Sequence, residues 1–193
     1  MKFTALEEYG LRCMLQLARK ELEARQKEVL SASGAETLEP FASTSITIGE
    51  IAELEGLTPE YAGKIFRILA KTKLVESERG RNGGYHLTRP SEQISVSETL
   101  AALGGRMFER GLCERYTGDR RFCVHTPDCA IRSLWTEVQW MIDRLLLNTM
   151  LSDLISPETA AREKMRNRSE ELGLLSVGIL SREKEKEVLR KSQ

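Results

Sequence analysis

The chain has 193 residues, which is enough for one or two domains with a hydrophobic core. Hydrophobic residues make up 40% and charged residues 30%, and no apolar run approaches the roughly 18–20 residues of a membrane span. Because the N-terminus also lacks a signal-peptide pattern, we expect a cytoplasmic protein without a membrane partner. The net charge is zero, yet residues 61–90 hold seven basic and two acidic side chains. Such a local excess is typical of a face that neutralises nucleic-acid phosphates.

The first predicted element is an amphipathic helix over residues 4–22. Thr4 and Glu7 fit a capping box, and apolar side chains follow at helical spacing. The charge-dense stretch 19–28 is compatible with a longer helix. The Ser-, Ala- and Gly-rich residues that follow predict a flexible loop insertion within 23–45.

Two short helices and a hairpin follow in the order of a winged helix-turn-helix over residues 46–89. Thr47 and Glu50 fit a second capping box, and Gly56 suits a left-handed turn. Thr58-Pro59 then begins a helix that reaches about residue 73. Strands are predicted over 74–79 and 85–89, joined by a turn with an Asn-Gly signal.

This arrangement predicts binding to double-stranded DNA. The first residues of a recognition helix meet base edges in the major groove, and a basic, glycine-rich hairpin tip suits the minor groove or its phosphates. The candidate contacts are Thr58, Glu60, Tyr61, Lys64, Arg67, Lys71, Arg79, Arg81, Asn82 and Gly83. Lys73 is a further phosphate candidate. The alternative is a three-helix core with a soluble basic edge, or a winged helix used for protein–protein contacts.

The second half of the chain is predicted to be helical around a cysteine-bearing loop. Ser95 or Ser97 caps a short helix, and Asp128 caps a long helix to about Ile155, whose apolar stripe is too wide for a lone surface helix. We therefore predict a mainly α fold with a small β-hairpin wing. The predicted domains are a winged helix-turn-helix over 1–90, a connecting helix and cysteine-bearing loop over 91–128, a dimerisation helix over 129–156 and a charged tail over 157–193.

Three of the four cysteines lie close together in the sequence. Cys113, Cys123 and Cys129 are separated by nine and five residues, without the two-residue gaps typical of zinc sites. Thiolates on such a loop fit an iron–sulfur cluster, with His125, Glu8 or Cys13 as candidates for a fourth ligand. A thiol switch or unligated cysteines are the alternatives, and Cys13 is favoured as a small core residue. The chain shows neither a nucleophile–base pair nor a phosphate loop, so we do not expect an enzyme.

Several segments resemble the family of winged-helix transcriptional regulators that includes IscR, NsrR and CymR. The resemblance covers about residues 1–155. It is carried by Met1-Lys2-Phe3-Thr4, Tyr9-x-Leu11-Arg12, Ile48-x-Glu50-Ile51-Ala52, Tyr61, Leu74-Val75, Arg79-Gly80-x-x-Gly83-Gly84-Tyr85-x-Leu87 and Cys129-x5-Trp135.

The resemblance implies a homodimer on a palindromic operator and a 2Fe–2S or 4Fe–4S cluster held by Cys113, Cys123 and Cys129. In the nitric-oxide-sensing branch a carboxylate of the other subunit completes the cluster, and Glu8 stands at that position. In the assembly-repressor branch a histidine does so, and Arg132 replaces it here. The implied function is a repressor that senses redox state, nitric oxide or iron status. The alternative is a cluster-free, CymR-like regulator controlled by a protein partner or by thiol oxidation.

Overall fold

The computed structural model describes residues 4–31, 45–78, 80, 83–104, 113, 118–120 and 122–174. Within these ranges the chain is mainly helical with one antiparallel hairpin, which confirms the predicted fold class. The elements are α1 (Ala5–Ser31), α2 (Ile48–Glu55), α3 (Pro59–Lys71), β1 (Val75–Glu78), β2 (Gly84–Leu87), a 3₁₀ turn (Ser91–Gln93), α4 (Val96–Leu103), α5 (Ala130–Leu147), α6 (Leu151–Leu154) and α7 (Glu158–Glu171). No helix in the described part of the chain is both long and apolar enough to cross a membrane.

Local capping chemistry sets where the short helices begin. The Thr47 side chain accepts the Glu50 N–H while the Glu50 carboxylate accepts the Thr47 N–H, and Ser95 and Glu98 repeat this exchange at α4. Of the two serines that the sequence offered for α4, Ser95 is therefore the cap. Gly56 ends α2 in the left-handed region at φ 64°, as its sequence position predicted.

Helix α1 is longer than predicted, since it continues to Ser31. Residues 23–31 are therefore helical rather than part of a loop insertion, and residues 32–44 lie outside the described residues. The C-terminal half of α1 is held against the 3₁₀ turn. The buried Glu21 accepts the Ser91 N–H at 2.9 Å, and the Arg25 guanidinium lies 2.8 Å from the Glu92 carboxylate.

The core lies where α1, α3 and the hairpin meet. Phe66 of α3 is fully buried and packs on the Tyr85 ring at a centroid distance of 4.6 Å. The same buried cluster includes Met14, Leu17 and Cys13 of α1, so Cys13 is the small core residue that the sequence favoured.

The hairpin pairs Val75 with Leu87 and Glu78 with Gly84, so its strands are shorter than predicted. Ile46 adds a bridge to Tyr85 on the other side of β2, with backbone hydrogen bonds of 2.8 and 3.0 Å. Gly84 is required there, because a Cβ on residue 84 would collide with the Ile46 carbonyl.

Helix α5 begins and ends at residues other than those predicted. Its N-cap is Cys129 rather than Asp128, and it ends at Leu147 rather than near Ile155. The helix stops because residues 149–151 pair with the segment ahead of α4: Val96 N–H donates to Thr149 O, and Leu151 N–H donates to Ile94 O. The predicted single helix over 129–156 is thus α5, a bridged segment and α6.

Candidate nucleic-acid interface and cysteine segment

Helix α3 separates a buried face from a charged outer face. Thr58 caps it by accepting the Tyr61 N–H at 3.3 Å, and Pro59 occupies the first turn. The side chains of Ala62, Ile65, Phe66 and Leu69 are buried. The predicted contacts on the outer face are Thr58, Glu60, Lys64, Arg67 and Lys71, all of them exposed. The outer face therefore carries three cations on a helix anchored by its opposite side.

Two of the candidate contacts make additional contacts within the protein. Tyr61 is half-buried and meets Tyr9 of α1 edge to face at 6.2 Å between ring centroids. The Arg67 Nε donates to the Gly63 carbonyl of its own helix at 3.2 Å. Lys64 and Lys71, in contrast, are exposed and form no hydrogen bond or ion pair with other residues in the described part of the chain, so they are the least constrained cations of this face.

The wing tip is only partly described. Arg79, Arg81 and Asn82 lie outside the described residues. Gly83 donates its N–H to the Gly80 carbonyl at 3.0 Å, and a Cβ on residue 83 would collide with the Glu78 carbonyl. The tip therefore depends on a backbone path that only glycine allows at residue 83.

Lys73, between α3 and β1, has a constrained backbone that the sequence did not reveal. Its φ is 58°, the left-handed region that favours glycine, and it is exposed. The Thr88 hydroxyl donates to the Lys73 carbonyl at 2.7 Å and fixes this turn. One signal of this conformation is present in the sequence: Lys73 directly follows the C-cap of α3, a position where glycine is usual.

The four cysteines occupy two kinds of environment. Burial raises the pKa of the Cys13 thiol to about 12, which keeps it protonated and argues against a role as a ligand. Cys113, Cys123 and Cys129 are half-buried, and all four thiols are free. Glu8 is exposed and forms an ion pair with Arg12 on the next turn of α1 at 2.7 Å.

Cys123 and Cys129 are connected through short-range hydrogen bonds. The Cys129 Sγ accepts the Arg132 N–H at 3.4 Å as the N-cap of α5. The Cys123 carbonyl accepts the Thr126 hydroxyl at 2.6 Å, and the Thr126 carbonyl accepts the Arg132 guanidinium at 3.0 Å. Cys113 and Arg132 both line a cleft of about 650 Å³ beside α5.

The donor set has the chemistry of an iron–sulfur site but is not assembled as one. Free, half-buried thiols are the ligands that such clusters use, and a backbone N–H directed at a ligand sulfur is a contact that tunes them. Among the described residues, however, no three His, Cys, Asp or Glu side chains converge closely enough to hold a metal ion. Cys113, Cys123, Cys129 and Glu8 are thus separate donors here.

Helix α5 leaves much of its apolar surface uncovered. Only Gln139 is buried along its length. Ile131, Leu134 and Trp135 of the predicted stripe are exposed, and so are Trp140 and Leu147 on the other side of the helix. Exposed apolar surface of this extent is typical of a contact with another protein chain.

The sequence and fold match one family of regulators. Residues 37–157 match the Rrf2 family, described as iron-dependent transcriptional regulators. The transcriptional regulator IscR of Sodalis glossinidius is 32% identical over 113 residues, which are 58% of this chain and 66% of that protein.

Two solved structures share the fold. The global cysteine regulator CymR of B. subtilis superposes with a TM-score of 0.56 at 24% identity, over 80% of this chain and 96% of CymR. T. potens IscR gives a TM-score of 0.55 at 24% identity, over 80% of this chain and 86% of that one.

These matches fit the winged helix-turn-helix fold that α2, α3 and the hairpin form. The chain belongs to the Rrf2 family of DNA-binding transcriptional regulators and is not an enzyme.

Proposed function

We propose that this regulator is a homodimeric repressor whose binding to a palindromic operator depends on an iron–sulfur cluster. The observation that carries the proposal is the position of Cys123 and Cys129, two free, half-buried thiols directly ahead of a helix with an uncovered apolar face. Cys113, which lines the cleft beside that helix, would be the third ligand. Glu8 of the partner subunit is the proposed fourth.

Such a cluster supplies reversible electron transfer and reactivity toward oxidants and nitric oxide. Within the protein, a series of packed helices connects the cysteines to the recognition helix α3. Cys129 caps α5, α5 packs on α4, and α4 packs on both α1 and the recognition helix α3. A change at the cysteine segment would therefore favour one of two dimer geometries with different spacing of the α3 helices.

To serve as a ligand, Glu8 would have to leave its ion pair with Arg12. Its carboxylate pairs with Arg12 on the exposed face of α1, and solvent screens an exposed pair of this kind so that it contributes little to stability. Exchange of that pair for a metal bond is therefore energetically accessible. We expect Glu8→Ala to change the absorption spectrum and the response to nitric oxide, and unchanged values would rule out Glu8.

The cluster is tested by anaerobic purification with an absorption spectrum and counts of iron and sulfide. Cys123→Ala is expected to lose the cluster, whereas Cys13→Ala is the matched control, since its thiol is buried in the core. A Cys123→Ala protein with full cluster content would refute the ligand assignment. A colourless wild-type protein would refute the cluster itself.

The DNA contacts are tested by a Lys64→Ala/Arg81→Ala double variant. Loss of cations that meet phosphate should weaken binding at all sequences and reduce the slope of log affinity against log salt by about 0.9 per lost contact. Lys164→Ala/Arg166→Ala on α7 is the control with the same change in charge. An unchanged salt slope in the first variant would place the DNA contacts elsewhere.

A cluster-free regulator controlled by a protein partner or by thiol oxidation is the second candidate. It is favoured by the absence of a three-ligand group among the described residues and by the CymR fold. The charged surface of α7 offers a contact for such a partner. Colourless protein that binds the operator with full affinity would support this candidate.

A further inference from the structure

Arg132 contacts both cysteine-bearing segments at the start of α5. Its backbone N–H donates to the Cys129 Sγ at 3.4 Å, and its guanidinium Nη2 donates to the Thr126 carbonyl at 3.0 Å. Arg132 is half-buried, whereas Thr126 and the hydrogen bond to its carbonyl are exposed to solvent. One residue thus touches the thiol of Cys129 and, through its side chain, the turn that contains Cys123.

The Thr126 carbonyl that Arg132 binds belongs to a turn closed on Cys123. Both the Thr126 hydroxyl and the Thr126 N–H donate to the Cys123 carbonyl, at 2.6 and 3.1 Å. Arg132 therefore holds the end of a turn whose first residue is a proposed ligand. Arg132 also lines the cleft that Cys113 lines, so it faces the segment of the third proposed ligand without a direct contact to it.

We propose that Arg132 is a positioning residue that organises Cys123 and Cys129 for cluster binding, an inference that rests on the proposed function. A guanidinium stays charged and presents several donors in one plane, so it can bind a carbonyl while offsetting the negative charge of nearby thiolates. It does not bind metal itself. At the position where the resemblance places a histidine ligand, this chain has a residue that holds the ligand-bearing segment.

The first arm of the test uses the full-length protein without metal and needs no cluster. Arg132→Ala removes the guanidinium but keeps the backbone N–H that donates to the Cys129 Sγ. We expect the Thr126 amide to exchange hydrogen about tenfold faster, the size expected when a hydrogen bond from a charged donor is lost. Arg132→Lys should restore part of the protection. Arg144→Ala, on the same helix, should leave it unchanged, because Arg144 stacks on Trp140 instead.

The second arm measures iron affinity and the reduction potential of the reconstituted protein. Loss of a contact that orients ligands typically weakens metal binding by about 10- to 100-fold, and we expect this for Arg132→Ala and a smaller loss for Arg132→Lys. Circular dichroism checks that each variant is folded.

The two arms separate the inference from the proposed function. Faster Thr126 exchange together with weaker iron binding supports the positioning role. Unchanged Thr126 exchange in Arg132→Ala overturns it, even if the wild-type protein binds a cluster. If the wild-type protein takes up no iron, the cluster proposal is overturned, and the role of Arg132 toward the cluster is overturned with it. This holds even if Thr126 exchanges faster in Arg132→Ala.

Discussion

At the scale of single residues, Cys13 differs from the other cysteines in its surroundings. Burial raises the pKa of its thiol to about 12, so almost no thiolate forms near neutral pH. We expect iodoacetamide to modify Cys113, Cys123 and Cys129 in the native, reduced, metal-free protein, and to modify Cys13 only in denaturant. Mass spectrometry of the alkylated chain measures this directly. Modification of Cys13 at the rate of Cys129 in native protein would contradict its place in the core.

Lys73 provides a second test at this scale, because its φ of 58° is unfavourable for a residue with a Cβ. We expect Lys73→Gly to raise the free energy of unfolding by up to about 1 kcal/mol, since relief of the left-handed conformation outweighs the entropy cost of glycine. Lys64→Gly is the matched control. It places glycine inside α3 and should lower the free energy of unfolding by about 1 kcal/mol. Urea denaturation measures both values, and equal losses in the two variants would contradict the left-handed turn.

At the scale of elements, the capping box of α4 predicts a pH dependence of stability. Burial alone would raise the pKa of Glu98, but the Ser95 N–H and the Arg89 guanidinium lower it overall. A carboxylate with a lowered folded-state pKa stabilises the protein above its unfolded-state pKa of about 4.3, and this contribution is lost as the pH falls through the folded-state value. The cap therefore weakens in acid.

We expect Glu98→Gln to lower the free energy of unfolding near pH 7 and to approach the wild-type value near pH 3. The difference near pH 7 should stay below about 1 kcal/mol, because the side chain is 43% exposed and its ion pair with Arg89 is screened by solvent. Urea denaturation of both proteins at the two pH values provides the measurement. A difference that persists in acid would mean that Glu98 acts through packing rather than through its charge.

The elements that the sequence predicted best are those set by local chemistry. Thr47, Thr58 and Gly56 bond to backbone groups only a few residues away, so their pattern is visible in the sequence. The end of α5 was not predictable in this way. The apolar pattern continues to Ile155, but the Ser95–Met150 bridge, between residues distant in sequence, interrupts the helix at Leu147.

The same distinction applies to the candidate site. The outer face of α3 follows from helical spacing alone, so its exposed cations were predictable. The contact of Arg132 with the Thr126 carbonyl was not, because arginine is flexible and its partner depends on how the loop folds back on α5. Cysteine spacing indicated which thiols are candidate cluster ligands. The distances between those thiols in space depend on how the cysteine-bearing loop folds, which the spacing does not specify.

At the scale of the whole molecule, the two sides of α5 suggest different roles. Ile131, Leu134 and the apolar residues one and two turns later form the stripe that the sequence assigned to dimerisation. Trp140 and Leu147 instead line a groove between α5 and α4 within the same chain. A dimer formed through the stripe would cover one side of α5 and leave the groove uncovered.

Leu134 and Leu147 allow these two sides to be compared directly. Both are leucines of α5 with nearly equal exposure, 56% and 58%, and they lie about 140° apart around the helix. Burial of a leucine stabilises an interface by about 1.5–3 kcal/mol, and a two-fold axis counts it twice. We therefore expect Leu134→Lys to raise the dimer dissociation constant by at least about 100-fold and to weaken operator binding, while Leu147→Lys keeps the dimer. Sedimentation velocity over a concentration series measures the dissociation constant. A stable Leu134→Lys dimer together with a monomeric Leu147→Lys protein would place the dimer interface on the groove side of α5.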